Sequence, residues 1–229
     1  MTAVSDAAAQ AAIGAAAREL HLPTVRDQAA RLAEIAARDH ATHLAYLAEV
    51  LAAELDDRSA RRRARRIAEA RFPRIKRLAD FNTDAVPAIT PAQLAHLASG
   101  AYLDHGEPVV LLGDSGTGKT HLLIGLGLAA CEQGRRVRYI TTAALVNELT
   151  EAANLFFPLV SSRYERASLI VTSNQPFGRW GEVFGDDVVA AAMIDRLVHH
   201  AEVIALKGDS YRLKDRDLGR VPAAATTED

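Results

Sequence analysis

The feature that most constrains the fold is a glycine-rich loop placed between an apolar run and a helical pattern. The run PVVLLG, residues 108–113, predicts a buried strand, and a helical pattern extends from Lys119 to about Gln133. Between them, GDSGTGKT matches G-x-x-x-x-G-K-[ST]. Glycines allow the backbone N–H groups to turn inward, and the following helix directs its positive end to the same point. Strand, loop and helix together predict a phosphate-binding loop.

The letters GDSG also match the active-serine sequence of trypsin-like proteases. That chemistry needs a histidine base and an orienting acid on a strand-rich barrel, whereas this chain alternates strands with helices. If the segment is instead a phosphate-binding loop, Lys119 is expected to contact the β- and γ-phosphates of a nucleotide, and the Thr120 hydroxyl is expected to bind a Mg²⁺ ion. The predicted nucleotide-binding residues are Gly113, Asp114, Ser115, Gly116, Thr117, Gly118, Lys119, Thr120 and His121.

The pattern along the chain predicts three parts: a helical domain at residues 1–72, a connector at 73–105 and a core at 106–229. In the first part, apolar residues at helical spacing predict helices over 23–39 and 42–55, and a third over about 57–72. The connector carries one short helix, at about 91–99. In the core, PVVLLG, RVRYIT, SLIVTSN and AEVIALKG alternate with helices, which predicts an α/β fold with a parallel sheet covered on both faces.

The charge of the chain is strongly uneven. Its net charge is −2, yet residues 58–77 contain ten Lys or Arg and one Glu. Such a run predicts salt-sensitive binding to a polyanion, and the lack of interleaved aromatic residues favours the backbone of duplex DNA over base stacking. A solvated helix paired with acidic helices is the alternative. The predicted DNA-binding residues are Arg58, Arg61, Arg62, Arg63, Arg65 and Arg66.

Targeting and membrane signals are not found in this sequence. The alanine-rich start lacks the basic region of a signal peptide, and the longest apolar run, residues 122–131, is shorter than the roughly 20 residues of a membrane span. We therefore expect a soluble, cytoplasmic protein. The single cysteine, Cys131, excludes an internal disulfide and is expected to be buried in a helix.

Nucleotide hydrolysis needs more than a phosphate loop. It also requires an acid at the end of a neighbouring apolar strand, to hold Mg²⁺, and often a second acid to activate water. No strand predicted after Lys119 ends on such an acid, since Asp186 and Asp187 follow Gly185 in a loop. The sequence therefore predicts nucleotide binding more firmly than hydrolysis.

Several segments together resemble one family. The loop, SLIVTSNQPF, MIDRLVHHAEVI, SYRLKD and the helical segment with ARFPRIKRLADFN look like IstB-like transposition helper ATPases, relatives of the DnaC-type helicase loaders. The resemblance implies a P-loop NTPase core of AAA+ type, ATP and Mg²⁺ as ligands, assembly into a multimer on DNA, and a partner transposase. It also implies that Asn174 senses the γ-phosphate and that Arg196 is a finger reaching a neighbouring subunit's nucleotide, which together with Lys119 gives the predicted catalytic residues.

One departure from the family pattern is expected at residues 153/154. In the family, a strand bearing the paired acids lies there, but here NELTEAA runs directly into NLFFPLV. A strand–helix step of about 30 residues would thus be absent. We expect RVRYIT and SLIVTSN to become neighbours in a four-stranded sheet as a result.

Three functions remain open from the sequence. The first is an ATP-driven helper that assembles on DNA and acts with a transposase. The second is a nucleotide- and DNA-binding module without turnover, a truncated remnant of such a helper. The third is a replicative helicase loader, which the transposition-like N-terminal helices disfavour.

Overall fold

The computed structural model describes residues 5–141, 144, 167–184 and 186–206. By its contacts the chain divides into two compact units, Met1–Arg66 and Ile67–Asp229. The first is helical, and the second contains the connector, the loop and the sheet. The junction predicted at 153/154 and the helical stretches around it lie outside the described residues, as does SYRLKD.

The first unit begins with three helices: α1 (Asp6–Glu19), α2 (Pro23–Arg38) and α3 (His43–Glu69). The prediction of separate helices over 42–55 and 57–72 was wrong, because α3 is one continuous helix of 27 residues. No proline or glycine interrupts it. Ion pairs one helical turn apart, Glu54 with Arg58 and Asp57 with Arg61, favour helix across the expected break.

The apolar face of α2 is buried, as its sequence pattern predicts, but the apolar face of α3 is largely exposed. Ala29, Leu32 and Ala36 on α2 are buried. On α3 the buried residues are Val50 and the carboxylate residue Glu54. The leucines that gave α3 its helical pattern are exposed: Leu44, Leu47, Leu51 and Leu55, with 79, 51, 46 and 63 % of their surface accessible. We call these four residues the leucine stripe.

The second unit packs helices against both faces of a sheet. Its elements are a 3₁₀ turn (Leu78–Asp80), α4 (Pro91–Ser99), α5 (Ala101–His105), β1 (Val109–Gly113), α6 (Lys119–Glu132), β2 (Ile170–Ser173), a 3₁₀ turn (Phe177–Arg179), α7 (Trp180–Phe184), α8 (Asp187–Val198) and β3 (Glu202–Leu206). The predicted short connector helix and loop helix are confirmed. A capping box between Thr90 and Gln93 starts α4, and the Asp186 carboxylate caps α8.

The described strands form a parallel sheet in the order β2-β1-β3. Side chains of β1 alternate between two cores: Val109 and Leu111 pack with Leu122 and Leu126 of α6, whereas Val110 packs with Trp180. A central strand buried on both faces explains why PVVLLG is continuously apolar. The α/β fold and the parallel sheet are therefore confirmed.

The predicted pairing of RVRYIT with SLIVTSN was wrong. Residues 136–141 form no strand, and SLIVTSN pairs with β1. The RVRYIT segment is held by other contacts: the Tyr139 amide donates to the Ala70 carbonyl oxygen at 2.8 Å, and its ring lies 6.2 Å from that of Phe72. If the RVRYIT segment paired with β2, it would have to break these contacts in exchange for the backbone hydrogen bonds of one strand pair. The expected four-stranded core is thus replaced, over the described residues, by three paired strands.

Cys131 is buried on α6, as expected. None of the helices in the described ranges combines the length and the apolar character needed to cross a membrane.

Candidate nucleotide site

The loop adopts backbone angles that only glycine takes without strain. Gly113 ends β1 with φ +144°, and Gly116 and Gly118 both have φ +92°. A Cβ on Gly113 would collide with the carbonyl oxygen of Leu206, and one on Gly118 would lie 3.1 Å from the Phe81 ring. The loop is therefore held by the neighbouring strand on one side and the connector on the other.

The start of α6 is arranged for an anion. This helix of 14 residues begins at Lys119, and its N-cap residue, Gly118, has no side chain to cap it. Lys119 is buried, with 6 % of its surface exposed, and its Nζ donates to the carbonyl oxygens of Gly113 and Asp114, each at 2.6 Å. Amides, helix end and ammonium thus meet at one place, which fits a phosphate group.

A cavity of about 1100 Å³ opens beside this loop. Its walls come from the loop and α6, from the connector and from the end of β2; the residues are Pro73, Arg74, Lys76, Asp80, Phe81, Asn82, Ala85, Val86, Ser115, Gly116, Thr117, Gly118, Lys119, Thr120, His121, Ile124, Thr172 and Asn174. Of the predicted nucleotide-binding residues, those from Ser115 to His121 line it directly. Gly113 and Asp114 contribute the carbonyls that hold Lys119.

The structure brings Asn174 to the loop but leaves Arg196 apart. Ser173 pairs with Leu112, so Asn174 lies level with Gly113 at the same sheet edge and lines the cavity. Arg196 lies in the last turn of α8, where its Nη1 donates to the Ala192 carbonyl oxygen at 3.4 Å. It does not line the cavity of its own chain. Its role toward a neighbouring subunit stays a prediction.

The connector supplies cavity residues that sequence reasoning missed. Arg74 and Lys76 add two cations to the wall, and Phe81 lies against Gly118. His121 ties the connector to α6, since its Nε2 lies 2.9 Å from the Arg77 carbonyl oxygen and its ring meets Phe81 edge-on at 5.4 Å. The aromatic and basic residues of FPRIKRLADFN could have indicated these cavity contacts, but the segment was predicted only to be a connector.

Among the described residues that line the cavity, one carries a carboxylate: Asp80, on the connector. The described strands end at Gly113, Ser173 and Leu206, none of them acidic. Within the described ranges no group of three His, Cys, Asp or Glu is placed to hold a metal ion. The binding of Mg²⁺ by the Thr120 hydroxyl stays a prediction.

The predicted DNA-binding arginines do not share one environment. Arg58 and Arg61 both reach the buried Glu54 carboxylate, at 3.3 and 3.4 Å, and Arg61 also pairs with Asp57 at 3.1 Å. Glu54 accepts as well from the amides of Thr24 and Val25. Arg62, Arg63 and Arg65 are exposed, and Arg66 is half-buried. Two of the six arginines thus help to join α3 to the start of α2.

Comparison with known proteins identifies the family. The profile described as IstB-like ATP binding protein matches the chain over residues 15–154 and 150–219. This chain belongs to that family. The P-loop core predicted from the sequence is thereby confirmed, together with the resemblance itself.

Relatives named as insertion sequence ATP-binding proteins cover most of the chain. One from Sinorhizobium fredii is 34 % identical and covers 96 % of this chain and 87 % of its own length. The protein so named for IS21 of Pseudomonas aeruginosa is 35 % identical, over 86 % of each chain. That of IS5376 from Geobacillus stearothermophilus is 32 % identical, over 87 % of this chain and 92 % of its own.

Proposed function

We propose that this protein is an ATP-binding helper of insertion-sequence transposition, acting in the cytoplasm. The observation that carries the proposal is the cavity at the loop, where an uncapped helix start and the Lys119 ammonium meet. The names of the relatives, all of which join ATP binding to an insertion sequence, support the biological setting.

The chain's own residues suggest how ATP would be held. The loop amides and Lys119 bind the phosphates, and the Thr120 hydroxyl holds the Mg²⁺ that accompanies ATP. Asn174, level with the loop, donates to the terminal phosphate. The Mg²⁺ ion supplies positive charge to the phosphate oxygens when bound. Arg196 would complete the site of a neighbouring subunit in an assembly.

We further propose that bound ATP is hydrolysed slowly or not at all. The described strand ends carry no acid that could hold Mg²⁺ or activate water. The alignment with the Sinorhizobium relative runs over 258 residues, at least 29 more than the 229 of this chain. The two stretches that match the family profile meet at residues 150–154, next to the predicted missing step. Both observations support the loss of a strand–helix unit.

Binding to duplex DNA, to a transposase and to further copies of the chain belongs to the same proposal. The basic run of α3 supports the DNA contact through charge. The leucine stripe supports self-assembly, because four exposed leucines on one helix are the kind of apolar surface that subunits cover. An adjacent transposase gene would support the helper over the helicase loader.

A measurement of ATP binding and phosphate release tests the proposal. The full chain is assayed with Mg²⁺ and duplex DNA, beside Lys119→Ala. We expect the wild type to bind ATP at least about tenfold more tightly than the variant, since the variant loses a charged phosphate contact. We expect no phosphate release above that of the variant.

The possible outcomes separate the functions. Binding without release supports the helper in which ATP promotes assembly, or the bare binding module, and stimulation of a partner transposase then favours the helper. Rapid release that depends on Lys119 would overturn the slow-hydrolysis proposal. Equal, negligible affinity of both proteins for ATP would overturn nucleotide binding altogether.

A further inference from the structure

The helical unit contains a second concave surface, far richer in positive charge than the nucleotide cavity. It is a hollow of about 620 Å³ at the end of α1, the start of α2 and the middle of α3. Six arginines line it: Arg18, Arg26, Arg58, Arg61, Arg62 and Arg65. We call this surface the arginine groove. Two of its arginines, Arg18 and Arg26, lie outside the basic run that the sequence singles out.

The groove keeps a surplus of positive charge after its ion pairs are formed. Arg26 pairs with Asp27 at 2.7 Å, and Glu54 and Asp57 pair with Arg58 and Arg61. Three of the groove's arginines are thus paired with carboxylates: Arg26, Arg58 and Arg61. Neither Arg18 nor Arg62 forms an ion pair with any residue in the described part of the chain. Several like charges held in one hollow favour a bound anion that carries more than one negative charge.

The backbone amides at the start of α2 are not available to bind the anion. Its first amides, those of Thr24 and Val25, already donate to the Glu54 carboxylate at 2.8 and 3.2 Å. The Arg58 guanidinium is likewise engaged, because it donates to the His21 carbonyl oxygen at 2.9 Å as well as to Glu54. Glu54 and Arg58 therefore fix the walls of the groove. The guanidinium groups of Arg18 and Arg62 are the ones placed to meet a ligand.

The chemistry of the groove selects the ligand. Planar guanidinium groups bind phosphate oxygens through paired N–H donors. Among the described residues that line the hollow, the imidazole of His21 is the one aromatic side chain, so these residues offer no stacking platform for unpaired bases. A ligand with regularly spaced phosphates and inward-facing bases fits these two properties. The sugar–phosphate backbone of duplex DNA has both.

We infer that the arginine groove binds one backbone strand of duplex DNA, with Arg18 and Arg62 as the phosphate contacts. Arg63 and Arg66, which also lie on α3, are outside the groove and contribute only to the overall positive electrostatic potential. Arg58 and Arg61 position the walls. The inference rests on the proposed DNA association and locates it on a defined surface.

Two double variants with the same loss of charge test this location. Arg18→Ala/Arg62→Ala removes two groove cations that form no ion pair within the described part of the chain, so none of the described carboxylates loses a partner. Arg63→Ala/Arg66→Ala removes two cations outside the groove. Binding of the full chain to a labelled duplex is measured by fluorescence anisotropy over a series of salt concentrations. Circular dichroism checks that the helix content of each variant matches the wild type.

We expect the groove variant to bind at least about tenfold more weakly and to lower the salt dependence, the slope of log K against log salt, by about 2. The control should lose less than about threefold and keep most of the slope. Arg18→Lys/Arg62→Lys should keep the slope but lose affinity, since lysine retains charge without the planar fork.

Three results would overturn the inference. Equal losses in the two alanine variants would mean that only net charge matters, and a larger loss in the control would place the contact elsewhere on α3. In both cases the proposed DNA association would stand. If the wild-type chain did not bind duplex DNA even at low salt, the association and the groove would both be wrong.

Discussion

At the scale of single residues, the conformation of the phosphate loop depends on glycine positions where a side chain would not fit. Gly118 has φ +92°, and a Cβ there would lie 3.1 Å from the Phe81 ring. By contrast, Gly14 on α1 is helical and has nothing within 4 Å of an added Cβ. The same chemical change should therefore have opposite effects at the two sites.

Gly118→Ala should destabilise the chain by about 1–2 kcal/mol and weaken ATP binding, because alanine strains this backbone conformation and presses on the connector. Gly14→Ala should stabilise it by roughly 0.5–1 kcal/mol through its higher helix propensity. Thermal unfolding and a nucleotide titration check both variants. Unchanged ATP affinity in Gly118→Ala would show that the loop does not need its present shape.

At the scale of elements, Glu54 joins two helices. Burial alone would raise the pKa of this carboxyl, but the amides of Val25 and Thr24 and the charge of Arg58 outweigh burial and hold its pKa below the ordinary value. A carboxyl with a lowered folded-state pKa contributes its full stability above the unfolded-state pKa. That contribution is lost as the pH falls through the folded-state pKa.

Glu54→Gln should lower the free energy of unfolding by about 1–3 kcal/mol at neutral pH, because buried donors lose a charged acceptor. It should also flatten the decline of stability at acid pH. Urea unfolding of the full chain between neutral pH and about pH 3 measures both effects. The matched control is Glu49→Gln, an exposed position on the same helix. Equal behaviour of the two variants would contradict the role of Glu54.

At the scale of the whole molecule, the proposed self-assembly would cover the exposed leucine stripe. Burying two leucines stabilises a contact by about 1.5–3 kcal/mol each. Leu47→Ser/Leu51→Ser should thus raise the dissociation constant of self-association roughly a hundredfold or more. Because both side chains are about half exposed, the fold should be retained.

Sedimentation velocity measures the self-association. The control is Val188→Ser, which changes an apolar residue on α8 that is 78 % accessible. A wild type that stays monomeric at high concentration would contradict the proposal.

The sequence was most informative where a short segment sets its own conformation. The phosphate loop was predictable because its glycines, lysine and flanking strand and helix are adjacent in the chain. The central strand was predictable because burial on both faces leaves a continuous apolar run. The contribution of Phe81 was not, because a contact between the connector and Gly118 joins segments more than thirty residues apart.

The sequence by itself determined the family, the loop and the three described strands, since each depends on residues that are neighbours along the chain. Tertiary structure alone decided that RVRYIT stays out of the sheet and that Arg18 joins the basic surface. It also decided that Arg58 and Arg61 meet carboxylates. The physical reason is that ladder pairing, ion pairs and burial are formed between distant segments, so a pattern within one segment cannot reveal which partner it meets.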